Sequence, residues 1–125
     1  MNKTRGFTLV ELMVTLVVVA ILAAIAIPAY RQSVIKGNRR AAQAVMMEMI
    51  SRQEQYFVAN RVYADEAELN YTLPPEVDTN YTYNFVNDAG PPPSVTINFV
   101  AQGGQLGDGD LSVSTLGTKT PAGKW

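Results

Sequence analysis

The stretch GFTLVELMVTLVVVAILAAIAIPAY, residues 6–30, decides what this chain can be. From Phe7 to Ile27 every residue is apolar except Thr8, Glu11 and Thr15. As a helix rising about 1.5 Å per residue, such a run covers about 30 Å, the hydrocarbon thickness of a bilayer. Lys3 and Arg5 precede it and would hold that end on the cytoplasmic side. Glu11 is the anomaly, because a carboxylate in mid-bilayer costs about 3 kcal/mol on insertion scales. No partner for it is evident inside the segment. Three readings stay open on these residues alone: a secretory signal peptide, a plain single-span anchor, or a precursor cut before the apolar run. The run is longer than a signal-peptide core of about 7–15 residues. A plain anchor leaves Glu11 without a purpose.

Outward from this stretch the pattern changes. Pro28 lacks an N–H and its ring crowds the preceding turn, so a bend is expected there. Beyond it Val34, Ala41, Val45, Met49 and Tyr56 recur at helical spacing among polar residues, the mark of an amphipathic helix. One long helix over about residues 7–59 is expected, loosened at Gly37. Residues 60–80 hold a Pro-Pro pair and scattered acids, and read as a connecting loop. YTYNFVN (81–87) and SVTINFVA (94–101) alternate as strands, with Val95, Ile97 and Phe99 on one face and a proline-rich reversal between them. A glycine-rich loop and a third strand near 110–115 follow. The expected fold is α+β: a long N-terminal helix, membrane-spanning then amphipathic, packed on a small antiparallel β-sheet. The organisation is 1–6 leader; 7–30 apolar helix; 31–125 globular domain, divided into helix 31–59, loop 60–80, sheet 81–120 and tail 121–125.

Composition narrows the function. The 125 residues include no cysteine and no histidine, which removes disulfides, thiolate metal sites and the usual neutral-pH base. No nucleophile–base constellation is present, so no enzyme and no cofactor are expected. A formal net charge of −1 gives no bulk attraction for nucleic acid.

Gly6-Phe7-Thr8-Leu9-Val10-Glu11, behind a short basic leader and ahead of the apolar helix, resembles the processing site of type IV pilins and pseudopilins. Arg52-Gln53-Glu54-Gln55-Tyr56-Phe57, with Asn60-Arg61 and Tyr63 after it, resembles the helix end of short minor pilins. Leu116-Gly117-Thr118-Lys119-Thr120 and Trp125 are similar to their C-terminal segment. The resemblance implies cleavage between Gly6 and Phe7 by a membrane-embedded prepilin peptidase, and N-methylation of the new Phe7 terminus. It implies a subunit that waits in the bacterial inner membrane, meets the pilus assembly machinery there, and joins other pilin subunits through the apolar helix in an extracellular filament. The expected role is a minor pilin in assembly or initiation, serving twitching, adhesion or surface attachment. Alternatives are a DNA-receptor minor pilin for natural transformation and a pseudopilin of a type II secretion system. Cleavage would lower the basic count from 10 to 8 against 11 acidic residues, as Lys3 and Arg5 leave.

The candidate residues follow. Gly6 leaves the scissile backbone unobstructed. Glu11 lies four residues from Phe7 on the same helix face and is expected to meet the Phe7 amine of a neighbouring subunit, its own amine competing; the plain alternative is snorkelling to the headgroups. Pro28 marks a helix bend. Thr8 and Thr15 are expected to bond back to helix carbonyls. Where pilins of this size commonly carry a tail disulfide, Asp108 and Lys124 stand, and an ion pair between them is a candidate replacement. As an exposed pair it would contribute about 0–1 kcal/mol, against about 2–4 for a disulfide. Two unrelated solvated charges are the other reading. Asp108 and Asp110 fall short of a calcium loop. Arg39 and Arg40 are weak DNA-contact candidates.

Overall fold

The computed structural model describes residues 6–125; Met1–Arg5, and with them Lys3 and Arg5 of the expected leader, lie outside the described residues. The chain divides into two compact units between Val34 and Ile35. Helix α1, Leu9–Asn60, contributes to both over its 52 residues.

In the first unit the apolar side chains of α1 are exposed on every side; Leu9 is 73% exposed, Leu16 68% and Ile25 69%. A helix that is apolar all round needs lipid or other helices about it. Among the described residues, this is the one helix long and apolar enough to cross a membrane. The helix runs unbroken through Pro28, whose missing N–H leaves the carbonyl of Ala24 without its helix bond.

In the second unit α1 buries one stripe: Ala42, Val45, Met46, Met49, Ile50 and Gln53. The expected positions Val45 and Met49 lie on it, Ala41 flanks it, and Val34 is exposed. The loosening expected at Gly37 does not occur; the helix is continuous there, with side chains from the glycine-rich loop bonding the turn at Ile35, Asn38 and Arg39.

Among the described residues, four antiparallel strands form one sheet in the order β1 (Tyr81–Asp88), β2 (Ser94–Ala101), β3 (Leu111–Ser114), β4 (Lys119–Thr120). The register pairs Tyr83 with Phe99 and Phe85 with Ile97, and Ile97 with Val113 on the other side. Period-two alternation therefore places Val95, Ile97 and Phe99 on the buried face, as their spacing predicts. The helix stripe covers that face and completes the core with Tyr81, Leu111 and Val113. The α+β fold with a long N-terminal helix on an antiparallel sheet is the one expected.

The connecting segment is less of a loop than its prolines suggest. Two single-turn helices interrupt it: α2, Glu66–Leu69, and α3, Pro75–Asp78. Asp65 starts α2 through a reciprocal capping box with Glu68, and Pro75 sits at the first position of α3, where its missing N–H costs nothing.

Candidate functional site

The N-terminal motif is built around one polar device. Gly6, Phe7 and Thr8 precede the helix, which begins at Leu9. The backbone N–H of Thr8 donates to Glu11 Oε2 at 2.8 Å, and the Thr8 hydroxyl donates to the same oxygen at 2.9 Å. Glu11 N–H in turn donates to Thr8 Oγ1 at 3.2 Å. This is a T-x-x-E capping box: each member satisfies a donor that the first helical turn leaves free. Two expectations change. Thr8 does not bond a helix carbonyl, whereas Thr15 does, donating to Glu11 O at 2.7 Å. Glu11 also has a partner inside the segment, three residues back. Phe7 is 81% exposed, and the scissile bond expected between Gly6 and Phe7 stands outside the helical ladder.

A second polar cluster lies within the folded unit. The loop after β2 turns through Gly103–Gln105 and reverses at Gly109, whose φ of +83° suits glycine. It delivers Asp108 to α1. Arg39 Nη1 donates to Asp108 Oδ1 at 2.6 Å, with side chains 17% and 10% exposed. Lys124 Nζ stands 3.6 Å from the same oxygen and is 30% exposed. Gln105 Nε2 donates to Asp108 Oδ2 at 3.2 Å and to the carbonyl of Ile35 at 3.0 Å. Gln43 Nε2 donates to the carbonyl of Lys124 at 2.6 Å, fastening the tail to the helix.

The geometry regroups the sequence candidates. Asp108 and Lys124 come within ion-pair reach, but the nearer partner of Asp108 is Arg39. Arg39 is turned inward onto Asp108 while Arg40 is exposed, so the two arginines do not form one patch. Asp110 takes a different partner, accepting from Ala101 N–H at 2.9 Å. Among the described residues, no group of three or more acids is placed to hold a metal ion.

Other positioning residues carried no local signal. Gln53, fully buried, bonds both backbone groups of Ala64 at 2.9 Å, as a strand partner would. Tyr71 hydroxyl donates to Glu48 Oε2 at 3.0 Å, and Arg52 pairs with Glu48 at 2.8 Å while stacking over the Tyr71 ring. The Tyr71 hydroxyl, and Arg52 after it, hold the Glu48 carboxyl below the usual glutamate value.

Comparison with known proteins divides along the same chain. Residues 1–27 match a family model described as the prokaryotic N-terminal methylation motif. Residues 28–112 match one described as type IV minor pilin ComP, DNA uptake sequence receptor. The type IV major pilin protein PilA of Myxococcus xanthus is 33% identical over 89 residues, 70% of this chain and 40% of that protein. The type IV wide pilus major component PilA4 of Thermus thermophilus is 30% identical over 88 residues, 70% of this chain and 67% of its own. Prepilin peptidase-dependent protein D of Escherichia coli is 50% identical over 48 residues, 38% of this chain and 30% of that protein. The match thus spans less than half the length of the first of these relatives.

Proposed function

The chain belongs to the type IV pilin family, and from that premise we propose that it is a filament subunit processed between Gly6 and Phe7, parked in the inner membrane and then drawn into a pilus. One observation carries the reading: the first unit's helix is apolar and exposed on all sides, and the second unit has its own closed core. Such a helix is stable in lipid or among copies of itself. Glu11 is the assembly residue. It is held by Thr8 until a cleaved Phe7 amine on a neighbouring subunit offers a charged partner. The role is that of a minor subunit aiding assembly, and the relatives' names favour a pilus over a secretion pseudopilus.

The test is deletion of the gene and complementation with wild type or Glu11→Val, scored for surface filaments, twitching, DNA uptake and protein secretion. Glu11→Val should insert, be cleaved, and enter filaments poorly. Normal incorporation of Glu11→Val would sink the assembly role.

A second reading, reception of DNA, is favoured by the match of residues 28–112 to a family described as a DNA uptake sequence receptor. Its exposed cations would include Lys36 and Arg40 but not Arg39, which Asp108 occupies. Duplex binding that weakens steeply with added salt supports it, and no shift at low salt removes it.

A further inference from the structure

One pentapeptide pattern occurs twice after α1: Glu68-Leu69-Asn70-Tyr71-Thr72 and Asp78-Thr79-Asn80-Tyr81-Thr82. Each copy contains Asn-x-Thr with a residue other than proline in the middle, the pattern of an N-glycosylation acceptor, which belongs on a surface segment. The fold treats the two copies differently. Asn80 is half-buried, and its Nδ2, the atom such a reaction uses, donates to the carbonyl of Glu76 at 2.8 Å. Its own carbonyl accepts from Gln102 N–H at 2.9 Å, and Thr82 lies inside β1. Asn70 and Thr72 are both exposed. Asn70 ends α2 in the left-handed region, at φ 43° and ψ 48°. Tyr71, between the two, is anchored at both ends. Its hydroxyl donates to Glu48 Oε2 at 3.0 Å, and its carbonyl accepts from the Tyr83 hydroxyl at 2.8 Å. The first copy is thus an open acceptor on a fixed backbone, and the second is part of the fold.

We propose that Asn70 is an N-glycosylation site, modified by a separate enzyme that uses a sugar carried as a diphosphate ester. Asn70 Nδ2 forms a bond to C1 of the sugar. The bond from C1 to the diphosphate oxygen breaks, and its electron pair leaves with the diphosphate. The amide nitrogen gives up one proton to a base of the transferring enzyme. No oxidant or reductant is involved. Seating Asn80 in the same enzyme would break its bonds to Glu76 and Gln102 and pull on Tyr81, which is fully buried in the core. Asn70 carries no such cost, and a bulky polar group there displaces no core side chain. The inference goes beyond the filament-subunit reading and does not depend on it, because it concerns the surface of the folded unit alone.

The test is the intact mass of the full chain, made from its own gene in its own cells and extracted in detergent, with fragment mapping of the modified residue. The wild-type chain should exceed its peptide mass by whole sugar units located on Asn70. Leader removal and terminal methylation change every variant alike, so the comparison isolates the sugar and is blind to the filament reading. Asn70→Gly, which suits the positive φ, and Thr72→Ala should each lose the whole increment. Thr72→Ser, which keeps the acceptor pattern, should retain it, and so should Thr82→Ala, which removes only the second copy. Blocking the loading of sugar phosphate onto the lipid carrier separates the donors. Loss of the increment then identifies a lipid-linked diphosphate and its persistence a nucleotide diphosphate; both uphold the site. A wild-type chain without sugar overturns the proposal. So does sugar on Asn80 in place of Asn70, or an increment that Thr72→Ala leaves intact.

Discussion

Removing Asp108 tests whether its buried pair with Arg39 outweighs its exposed contact with Lys124 of the tail. Asp108→Ala strands the Arg39 guanidinium, which is 17% exposed, and frees a Gln105 N–H. Breaking a buried pair from one side costs about 3–5 kcal/mol, and the residual exposure here sets the loss near the lower end, about 3 kcal/mol. Lys124→Met removes only a contact of 3.6 Å from a side chain 30% exposed. That loss should be about 0.5 kcal/mol, the range of surface pairs. With a urea slope of about 1 kcal/mol/M for a domain of this size, the midpoints fall by about 3 M and about 0.5 M. Trp125 is the single tryptophan and ends the tail in question, so its fluorescence in the full chain in detergent micelles reports both unfolding and tail release. If Asp108→Ala leaves too little folded protein, Asp108→Asn gives a graded loss. An Arg39→Met, Asp108→Leu double variant should recover most of the stability, because no charge is then left buried alone. Equal midpoints for Asp108→Ala and Lys124→Met would refute the reasoning.

Gln53→Leu should cost about 2–4 kcal/mol, because it leaves the buried N–H of Ala64 without an acceptor as well as removing a donor to its carbonyl; an unchanged urea midpoint would contradict the bidentate bond. Burial pushes the phenols of Tyr71, Tyr81 and Tyr83 above their ordinary value of 10.0. The folded state then binds those protons more tightly than the unfolded one. Their contribution is whole below about pH 10 and is lost as pH rises through the folded values, so the urea midpoint should fall as pH is raised above about 10. A midpoint that stays flat as pH is raised above about 10 counts against their burial.

How much could be read from sequence differs by the range of the interaction. Apolar periodicity is local, and it located the stripe around Val45 and Met49 and the buried face of β2. Pairs far apart are invisible to it: nothing near Arg39 points to Asp108, 69 residues on, and nothing near Ile35 points to Gln105. Reading Arg39 with Arg40 as one patch followed from adjacency, while the helix turns successive residues about 100° apart. The capping boxes are local and differ from those distant pairs. Thr8-x-x-Glu11 and Asp65-x-x-Glu68 are local patterns, but an acid inside an apolar run points first to assembly or snorkelling, and acids among prolines point to loop.

The capping box at Thr8 alters the energetics of Glu11. A carboxylate with no partner in the precursor would gain the whole of a charged hydrogen bond on meeting a neighbour's amine. Here it already accepts two bonds from Thr8. Under the proposed assembly role docking would be an exchange, driven by the difference between an ammonium partner and a neutral N–H and O–H pair. Both sets of bonds are charge-assisted, because the acceptor is an ionised carboxylate, so the exchange would be driven only by the added attraction of a full positive charge and is worth less than the full bond. The same two bonds lower the cost of holding the acid in lipid beforehand. On the proposed assembly role, Thr8 would let Glu11 wait in the membrane while remaining ready for a charged partner, which a threonine or valine at position 11 could not do.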